Sequence, residues 1–438
     1  MEGLAIKRIL AGMLAVSLVF GAGGVLVNYS GDVFAVTASA DNAEKPTSGI
    51  IGESVKWVLD GNGTLTISGT GDMTDFDNGK SPFYLRDDIK KAVIEKGVTS
   101  IGDGVFFDCA GLTEVTISDS VSSIGHAAFS KCKVLKNITI PEGVNKIGGY
   151  AFSDTQWLKD KQKSNKLVIV NKIVVDGSEC EGDVKIPDGI TSIGDSAFAN
   201  CKSLKSVTMP NSVRSIGIRA FISCDGLKKI VIPDGVTSID ALAFSHCLEL
   251  SDITIPESVK TIKVNAFVHT KWLEKKKASD PMVVVNGILI DGVTGKTQVT
   301  VPDTVKIIAD CAFLNSKELK TVTVPESVKE ISDSAFESCP KLAAVKGYKG
   351  SAAEKFAKDN NLEFIELKKD DEPKSIIGDV NNDGQVNITD VSKVAAHIKS
   401  KKKLGEDAQK NADVNGDSKI DVTDLSKIAA HVKGMKKL

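Results

Sequence analysis

Two segments near the C-terminal end of the chain repeat one pattern of oxygen-bearing side chains, 34 residues apart. Oxygen side chains stand at positions 1, 3, 5, 9 and 12 of each segment: Asp379, Asn381, Asp383, Asn387 and Asp390, then Asp413, Asn415, Asp417, Asp421 and Asp424. This is the spacing of an EF-hand-type loop, in which hard oxygens surround Ca²⁺. Position 7, here Gln385 or Lys419, offers its backbone carbonyl. The sequence therefore predicts two calcium ions, one in each loop.

The two loops differ at position 6, where such a loop turns sharply and usually has glycine. The first loop has Gly384 there, whereas the second has Ser418, which we expect to strain the turn. Position 12 is Asp in both loops instead of a bidentate Glu, so one ligand bond is expected to be lost or lengthened. Apolar residues three and four apart then predict a helix after each loop: Val391, Val394 and Ile398, then Leu425, Ile428 and Val432.

This pair of loop–helix halves resembles a type I dockerin over residues 376–438. The resemblance implies that the partner is a cohesin domain of a scaffoldin, the anchoring protein of a cellulosome. Cohesin contacts of that family match Ile388, Thr389, Ala395, Ala396 and Ser400, and by the duplication Val422, Thr423, Ala429, Ala430 and Gly434. The Ile-Thr and Val-Thr pairs favour an apolar contact and leave the specificity class open. The near-identity of the halves implies binding in either of two orientations.

The chain before these loops repeats with a period of 23 residues. Phe198, Cys201, Leu204 and Pro210, for example, recur as Phe221, Cys224, Leu227 and Pro233. The Leu-x-x-Val-x-Ile half of a unit predicts a short strand, and the Ile-Gly-x-x-Ala-Phe-x-x-Cys half predicts one or two helical turns. Because one unit cannot bury its own apolar side, the units must stack around a shared core. The pattern predicts an α/β-type repeat solenoid with short parallel strands, followed by a small all-α calcium-binding domain.

The repeats resemble the BspA-type leucine-rich repeat family over about residues 48–367. The resemblance implies an N-terminal β cap at 48–74, a solenoid at 75–350 and a C-terminal cap at 351–367. Within the first cap, Asn62-Gly63 between apolar runs is a hairpin signal. Residues 368–375, which contain Lys, Asp and Pro, are predicted to link the solenoid to the dockerin-like segment.

Two units, at residues 157–187 and 272–302, keep the repeat phase but break its pattern. Trp157 and Trp272 each precede a lysine-rich stretch and two apolar runs. We interpret both as units in which a β-hairpin replaces the helical half. The hairpins could be ligand-contacting protrusions, but the preferred interpretation is a structural variant in which the tryptophan fills a gap in the core.

A solenoid turns recurring sequence positions into columns. The phenylalanine column is predicted to be the core spine rather than a stacking groove. The cysteine column also accepts Thr and Ser, so free thiols are predicted instead of disulfides. The acidic column is predicted to be a solvated turn edge, and the threonine column an open strand face: Asp119, Glu142, Asp188, Asp234, Glu257, Asp303 and Glu326, then Thr116, Thr139, Thr208, Thr254, Thr300 and Thr323.

The first 40 residues have the pattern that is typical of an export signal. Lys7 and Arg8 precede an apolar run and two small-residue cleavage patterns, of which the one ending at Ala40 is preferred. Residues 1–40 are therefore predicted to be a signal peptide, and the product to be secreted and associated with a cellulosome or cell surface. The rival interpretation is an uncleaved membrane anchor.

Composition narrows the function classes. The 438 residues are 42% hydrophobic with a formal net charge of −2, which excludes a wholly disordered chain and argues against a general nucleic-acid binder. No Gly-x-Ser-x-Gly or His-Glu-x-x-His motif is present, and no acid pair departs from the repeat. We therefore expect a non-catalytic binding protein. A polysaccharide-degrading enzyme and a cell-surface adhesin are the alternatives, and the sequence does not name the solenoid's protein or glycan ligand.

Overall fold

The computed structural model describes residues 45–77, 79–368, 376–400 and 403–434. Every element below lies within residues 47–438, which form one unit. The predicted signal peptide lies outside the described residues, as does the predicted linker apart from Lys368. No helix in the described ranges combines the length and apolar character that a membrane span needs.

The solenoid begins with an antiparallel meander that closes one end of the core. It consists of β1 (Ser48–Ile50), β2 (Val55–Leu59) and β3 (Thr64–Gly69). Asn62 and Gly63 lie in the turn between β2 and β3, where Gly63 has φ +81°, a conformation that glycine adopts without steric cost. Strand β3 then pairs in parallel with the first repeat strand.

Each coil contributes one strand to a first face and a shorter strand to a second face. The first-face strands are β5 (Lys91–Ile94), β7 (Glu114–Ile117), β9 (Asn137–Thr139), β13 (Gly182–Lys185), β15 (Leu204–Thr208), β17 (Lys229–Val231), β19 (Asp252–Thr254), β23 (Gln298–Thr300), β25 (Thr321–Thr323) and β27 (Ala344–Gly347). Their parallel partners align residues 23 apart, as in Ile230 opposite Ile253. Alternate residues point into the core, so Val115 is buried and Thr116 is exposed.

The second-face strands are mostly two residues long. They are β4 (Gly71–Asp72), β6 (Val98–Ile101), β8 (Ser123–Ile124), β10 (Lys146–Ile147), β12 (Ile173–Asp176), β14 (Ser192–Ile193), β16 (Ser215–Ile216), β18 (Ser238–Ile239), β20 (Thr261–Ile262), β22 (Ile288–Asp291), β24 (Ile307–Ile308) and β26 (Glu330–Ile331). They also pair in parallel with a 23-residue shift, as in Ser192 opposite Ser215.

The remainder of each coil is a run of tight turns rather than the helical turns expected there. Left-handed residues stand four apart in it, for example Ala127 with φ +51° and Lys131 with φ +63°, and each interrupts a right-handed helix. The amides of Ala127, Phe129 and Lys131 donate to carbonyls of the next coil at 2.8 to 2.9 Å. Stacking of the coils therefore fixes this conformation, which local sequence does not specify.

The core has the composition that the repeat columns predict. The phenylalanine rings are buried and stack, with centroids 5.1 Å apart for Phe106 and Phe129 and 5.0 Å for Phe198 and Phe221. All eight cysteines are free thiols. The six sulfurs of the cysteine column donate to the preceding coil, as Cys224 Sγ does to the Phe198 carbonyl at 3.0 Å. Burial raises the pKa of Cys109 to about 12, so that thiol stays protonated at neutral pH.

The two irregular units each contain a helix that the sequence pattern did not reveal. Helix α1 (Gln156–Ser164) precedes the hairpin of β11 (Val168–Val170) and β12, and α2 (Lys271–Ser279) precedes that of β21 (Val283–Val285) and β22. Each hairpin is present as expected. The first-face ladder ends at β9 and resumes at β13, so α1 stands where a first-face strand is otherwise found.

Aromatic packing explains how these units fit the core. Trp157 is 8% exposed, with its ring centroid 4.7 Å from that of Phe152, so it ends the first phenylalanine stack. Phe198 begins the next stack, and a Cβ at Gly177 would overlap its ring. Trp272 repeats the arrangement after Phe267. The tryptophans therefore lie in the core, as the preferred interpretation expects.

The C-terminal part contains the last strand and four helices. Helix α3 (Ala352–Asp359) and β28 (Glu363–Glu366), which pairs with β27, cover the end of the solenoid. Beyond residue 375 follow α4 (Ile388–Ile398), α5 (Glu406–Ala412) and α6 (Val422–Val432). Helices α4 and α6 pack together around a small core that contains Val394 and Ile428.

Candidate functional site

The first oxygen-rich loop folds around its own side chains. The Asp379 carboxylate accepts hydrogen bonds from the amides of Asp383 at 3.2 Å and Gly384 at 2.8 Å. The Asn381 side-chain oxygen accepts from the Asp383 amide at 3.0 Å, and Asp383 accepts from the Gln385 amide at 2.9 Å. Backbone donors thus hold the side chains of positions 1, 3 and 5 within one loop.

Position 12 ties the loop to the start of α4. Asp390 is fully buried, and its carboxylate accepts from the amides of Val380 at 2.8 Å, Asn381 at 3.1 Å and Asn387 at 2.8 Å. The Asn387 side chain accepts in return from the Thr389 amide at 2.8 Å and from the Asp390 amide, and the second of these bonds completes a capping box. Asp390 therefore serves the loop backbone and the helix N-terminus together.

The second loop repeats this geometry. Asp413 accepts from the amides of Asp417 at 3.1 Å and Ser418 at 2.8 Å. The Asn415 side-chain oxygen accepts from the Asp417 amide at 2.9 Å, and Asp417 accepts from the Lys419 amide at 2.9 Å. Positions 1, 3 and 5 are thus held as they are in the first loop.

At the end of the second loop, Asp424 repeats the role of Asp390. It is buried and accepts from the amides of Asn415 at 3.2 Å and Asp421 at 3.1 Å, again with a capping box at the start of α6. The duplication seen in the sequence is therefore a duplication of hydrogen-bond geometry.

Like charges face one another in the first loop. Burial raises the pKa of Asp379, and the neighbouring Asp383 carboxylate raises it further. Burial also raises the pKa of Asp390, with Asp379 contributing. In the second loop, the backbone amide of Thr423 lowers the pKa of Asp421, because it stabilises the charged form.

The donor set fits a hard cation. Carboxylate and side-chain amide oxygens at positions 1, 3, 5 and 9 lie in the same loops as the position 7 carbonyls of Gln385 and Lys419. Among the described residues, no cluster of three or more His, Cys, Asp and Glu side chains is arranged to hold a metal. Asn381, Asn387 and Asn415 belong to the ligand sets that the sequence predicts, and these sets stay a prediction.

Residue Asn411 was not singled out from the sequence, yet it fixes the first loop. It is 2% exposed, and its side-chain amide donates to the Asp379 carbonyl at 2.7 Å and to the Asn382 side chain at 2.9 Å. It lies on α5, a seven-residue helix without a marked apolar stripe. The sequence indicates this role only weakly, because Asn411 is simply a polar residue two positions before the second loop.

The predicted cohesin contacts lie at related places on the two halves. Ile388 and Val422 are the first residues of α4 and α6 and are 67% and 64% exposed. Of the remaining predicted contacts, Thr423, Ser400 and Gly434 are exposed and the others are half-buried: Thr389, Ala395, Ala396, Ala429 and Ala430. The structure places two apolar side chains in solvent at equivalent positions, and the contacts themselves stay a prediction.

The solenoid columns fall on distinct surfaces. All seven members of the acidic column are exposed, and so are the threonines of the first face, except Thr323, which is half-buried. A shallow groove of about 510 Å³ lies between β15 and β17, where the ladder hydrogen bonds are interrupted. Val231, 50% exposed, lines this groove.

Comparison with known protein families agrees with both parts of this architecture. The BspA type leucine-rich repeat model matches residues 79–179, 178–285 and 293–375, and the chain belongs to this family. The dockerin type I model matches residues 377–433, so the duplicated loops form a type I dockerin. Type I dockerins are calcium-binding modules, and a dockerin implies a cohesin partner.

The chain is similar to solved bacterial leucine-rich repeat proteins. One from Eubacterium ventriosum is 24% identical, with 73% of this chain and 84% of that chain covered and a TM-score of 0.28. One from Bacteroides ovatus is 22% identical, with 73% and 76% covered and a TM-score of 0.26. A leucine-rich cell surface protein from Faecalibacterium prausnitzii is 23% identical, with 73% and 98% covered and a TM-score of 0.25. No curated protein matches the chain.

Proposed function

We propose that this chain is a secreted, non-catalytic leucine-rich repeat binding protein that a calcium-dependent dockerin–cohesin interaction attaches to a cellulosome scaffoldin. The observation that carries the proposal is the duplicated loop–helix geometry with an exposed apolar residue, Ile388 or Val422, at the start of each helix. The duplication gives each half an apolar side chain in solvent at the same place beside its loop, so both halves offer a partner the same contact.

Two calcium ions are proposed, one in each loop. Side chains at positions 1, 3, 5, 9 and 12 and the carbonyl at position 7 would hold each ion. Bound Ca²⁺ would offset the repulsion among carboxylates that raises the pKa of Asp379. Because the same loops cap α4 and α6, metal binding and the position of the two helices are coupled.

The duplication supports binding in two orientations. Each half presents its own apolar residue and its own helix, so a cohesin could use either half. Ile388→Asp or Val422→Asp alone should therefore retain binding, whereas the double variant should lose it. Loss of binding in one single variant and retention in the other would show that only one half is used.

The solenoid is proposed to bind a protein or glycan without chemistry. Its acidic column stands on exposed turns, and the interior of the coils is filled by phenylalanine and aliphatic side chains. Screens on soluble and insoluble polysaccharides should be blank, and turnover of any of them would contradict the proposal.

The calcium dependence is tested by titrating the purified chain with a panel of type I cohesins in a calorimeter. Binding in CaCl₂ should disappear in EDTA and in the Asp379→Ala/Asp413→Ala double variant. Asp119→Ala removes an exposed carboxylate from the solenoid and is the matched control, which should bind normally. Binding that survives EDTA would overturn the proposed attachment.

A further inference from the structure

The replacement of a strand by α1 leaves the sheet edge open at β9. Where the first-face ladder continues, the residue after a strand donates its amide to the next coil, as Ile186 does to Thr208 at 2.9 Å and Ile232 to Thr254 at 3.0 Å. The equivalent residue after β9 is Ile140, whose amide has no partner among the described residues. Its side chain is half-buried, whereas Ile186 and Ile232 are 1% and 2% exposed.

The same opening occurs at the second irregular unit. Ile255 follows β19 and precedes α2, its side chain is half-buried, and its amide also lacks a partner within the described ranges. The two open edges lie 115 residues apart, as α1 and α2 do. Each open edge lies beside a coil in which a helix stands in the place of a first-face strand.

A groove of about 440 Å³ lies along the open edge of β9. Residues 136–139 form one wall, and Trp157, Asp160, Lys161 and Ser164 of α1 form the other. The groove thus has a strand edge on one side and helix side chains on the other. An unpaired strand edge is a template for another extended chain.

The charge of this groove selects the partner. Lys136 and Lys161 are exposed at the groove. The Asp160 carboxylate already accepts from Lys163 at 2.9 Å and from Gln156 at 2.8 Å. The two lysine ammonium groups of the lining therefore favour carboxylates on whatever occupies the groove.

We propose that this groove binds an extended acidic peptide segment of a partner protein, which adds to β9 as the next strand. The open amide and carbonyl groups would form the backbone ladder, and the lysines would pair with acidic side chains. A glycan fits less well, because it offers no alternating amide donors and carbonyls at strand spacing. The inference deepens the proposed function by naming the partner class of the solenoid. It rests on the proposed function only in one respect, namely that the solenoid binds a partner.

The test uses a fluorescein-labelled peptide in which Glu alternates with Val and Thr, titrated with the purified chain and followed by fluorescence anisotropy. Two further peptides carry N-methyl groups on either the odd or the even residues. Since alternate residues of a strand face one edge, one set should weaken binding at least about tenfold and the other should not. Equal binding by all three peptides, or no binding, would overturn the proposal.

Charge reversal tests the position of the site. The Lys136→Glu/Lys161→Glu double variant reverses the charge of both lysines in the groove and should weaken peptide binding about three- to fivefold at low salt. Lys320→Glu lies just before β25, which is paired on both sides, and is the matched control with no expected effect. An equal loss in the control would overturn the site. EDTA should abolish cohesin binding and leave peptide binding intact, so failures of the two proposals are distinguishable.

Discussion

The unequal position 6 residues of the two calcium loops make a quantitative prediction. Ser418 has φ +64° and Gly384 has φ +84°, so both loops require a left-handed residue there. Only the first loop supplies it with glycine. Ser418→Gly should therefore tighten calcium binding in the second loop, and Gly384→Ser should weaken it in the first.

The magnitude follows from backbone conformation, because the exchange removes no contact. The Ser418 amide, which donates to Asp413 at 2.8 Å, is kept by glycine. The Ser418 side chain is exposed, and its hydroxyl has no hydrogen bond within the described residues. A left-handed L-residue costs about 1–2 kcal/mol, and glycine loses about 0.5–1 kcal/mol more entropy on ordering. The net gain of about 0.5–1 kcal/mol corresponds to a two- to fivefold tighter Kd.

Calorimetric titration of the metal-free chain with CaCl₂ measures both loops. A Cβ at position 384 would meet no atom within 4 Å, so Gly384→Ser introduces no clash. A loss of calcium affinity in this variant therefore reports backbone conformation alone. The two substitutions should shift affinity by similar factors in opposite directions. Unchanged affinity in both variants would refute the reasoning, because left-handed strain would then not limit metal binding.

Three further predictions concern the solenoid. Burial raises the pKa of Asp195 to about 6. The free energy of unfolding should therefore fall by about 2 kcal/mol between pH 4 and 6, where only the unfolded chain ionises at this residue. Urea titrations should show a flatter pH profile of the unfolding free energy for Asp195→Asn, and an unchanged profile would contradict the prediction. Gly177→Ala should destabilise the chain by about 1–3 kcal/mol in thermal melts, because its Cβ overlaps the Phe198 ring. The seven buried thiols should not react with a disulfide reagent in the native chain, Cys339 is half-buried and should react first, and all eight should react in denaturant.

The repeat made most of the solenoid predictable. Period-2 alternation in the Val115–Ile117 stretch gives a strand because every coil places the same residues against the same neighbours. The turns could not be predicted, since left-handed residues such as Lys131 and Leu242 have no local preference for that conformation. Hydrogen bonds from adjacent coils fix them, and a single unit does not contain that information.

Helices α1 and α2 escaped prediction for a different reason. Their lysine-rich sequences lack an apolar stripe, which is the usual helix signal. The signals that were present are weaker: neither stretch contains a β-branched residue, and Thr155 and Thr270 are N-caps whose hydroxyls accept from amides three residues on at 3.1 Å. The cysteine column concealed these caps, because that column accepts Thr and Ser at the same repeat position.

At the calcium loops, the side-chain spacing alone predicted which oxygens share a loop, because an EF-hand loop is a local structure. The contribution of Asn411 could not be predicted, since it depends on the packing of α5 against the first loop. For Asp390, too, the sequence predicted only part of the role. The sequence suggested a metal ligand, whereas the structure also gives it three backbone amides.

The two irregular units solve one packing problem with one set of residues. In each, an asparagine side chain clamps the preceding turn: Asn171 donates to the Pro141 carbonyl at 2.6 Å, and Asn286 donates to the Pro256 carbonyl at 2.7 Å. Together with the threonine cap, the tryptophan and the following glycine, this set offsets the ladder hydrogen bonds that the helix removes. The residues that stabilise each irregular coil are therefore the same ones that leave the neighbouring strand edge unpaired. A variant that restored a regular strand in place of α1 would close the groove at β9.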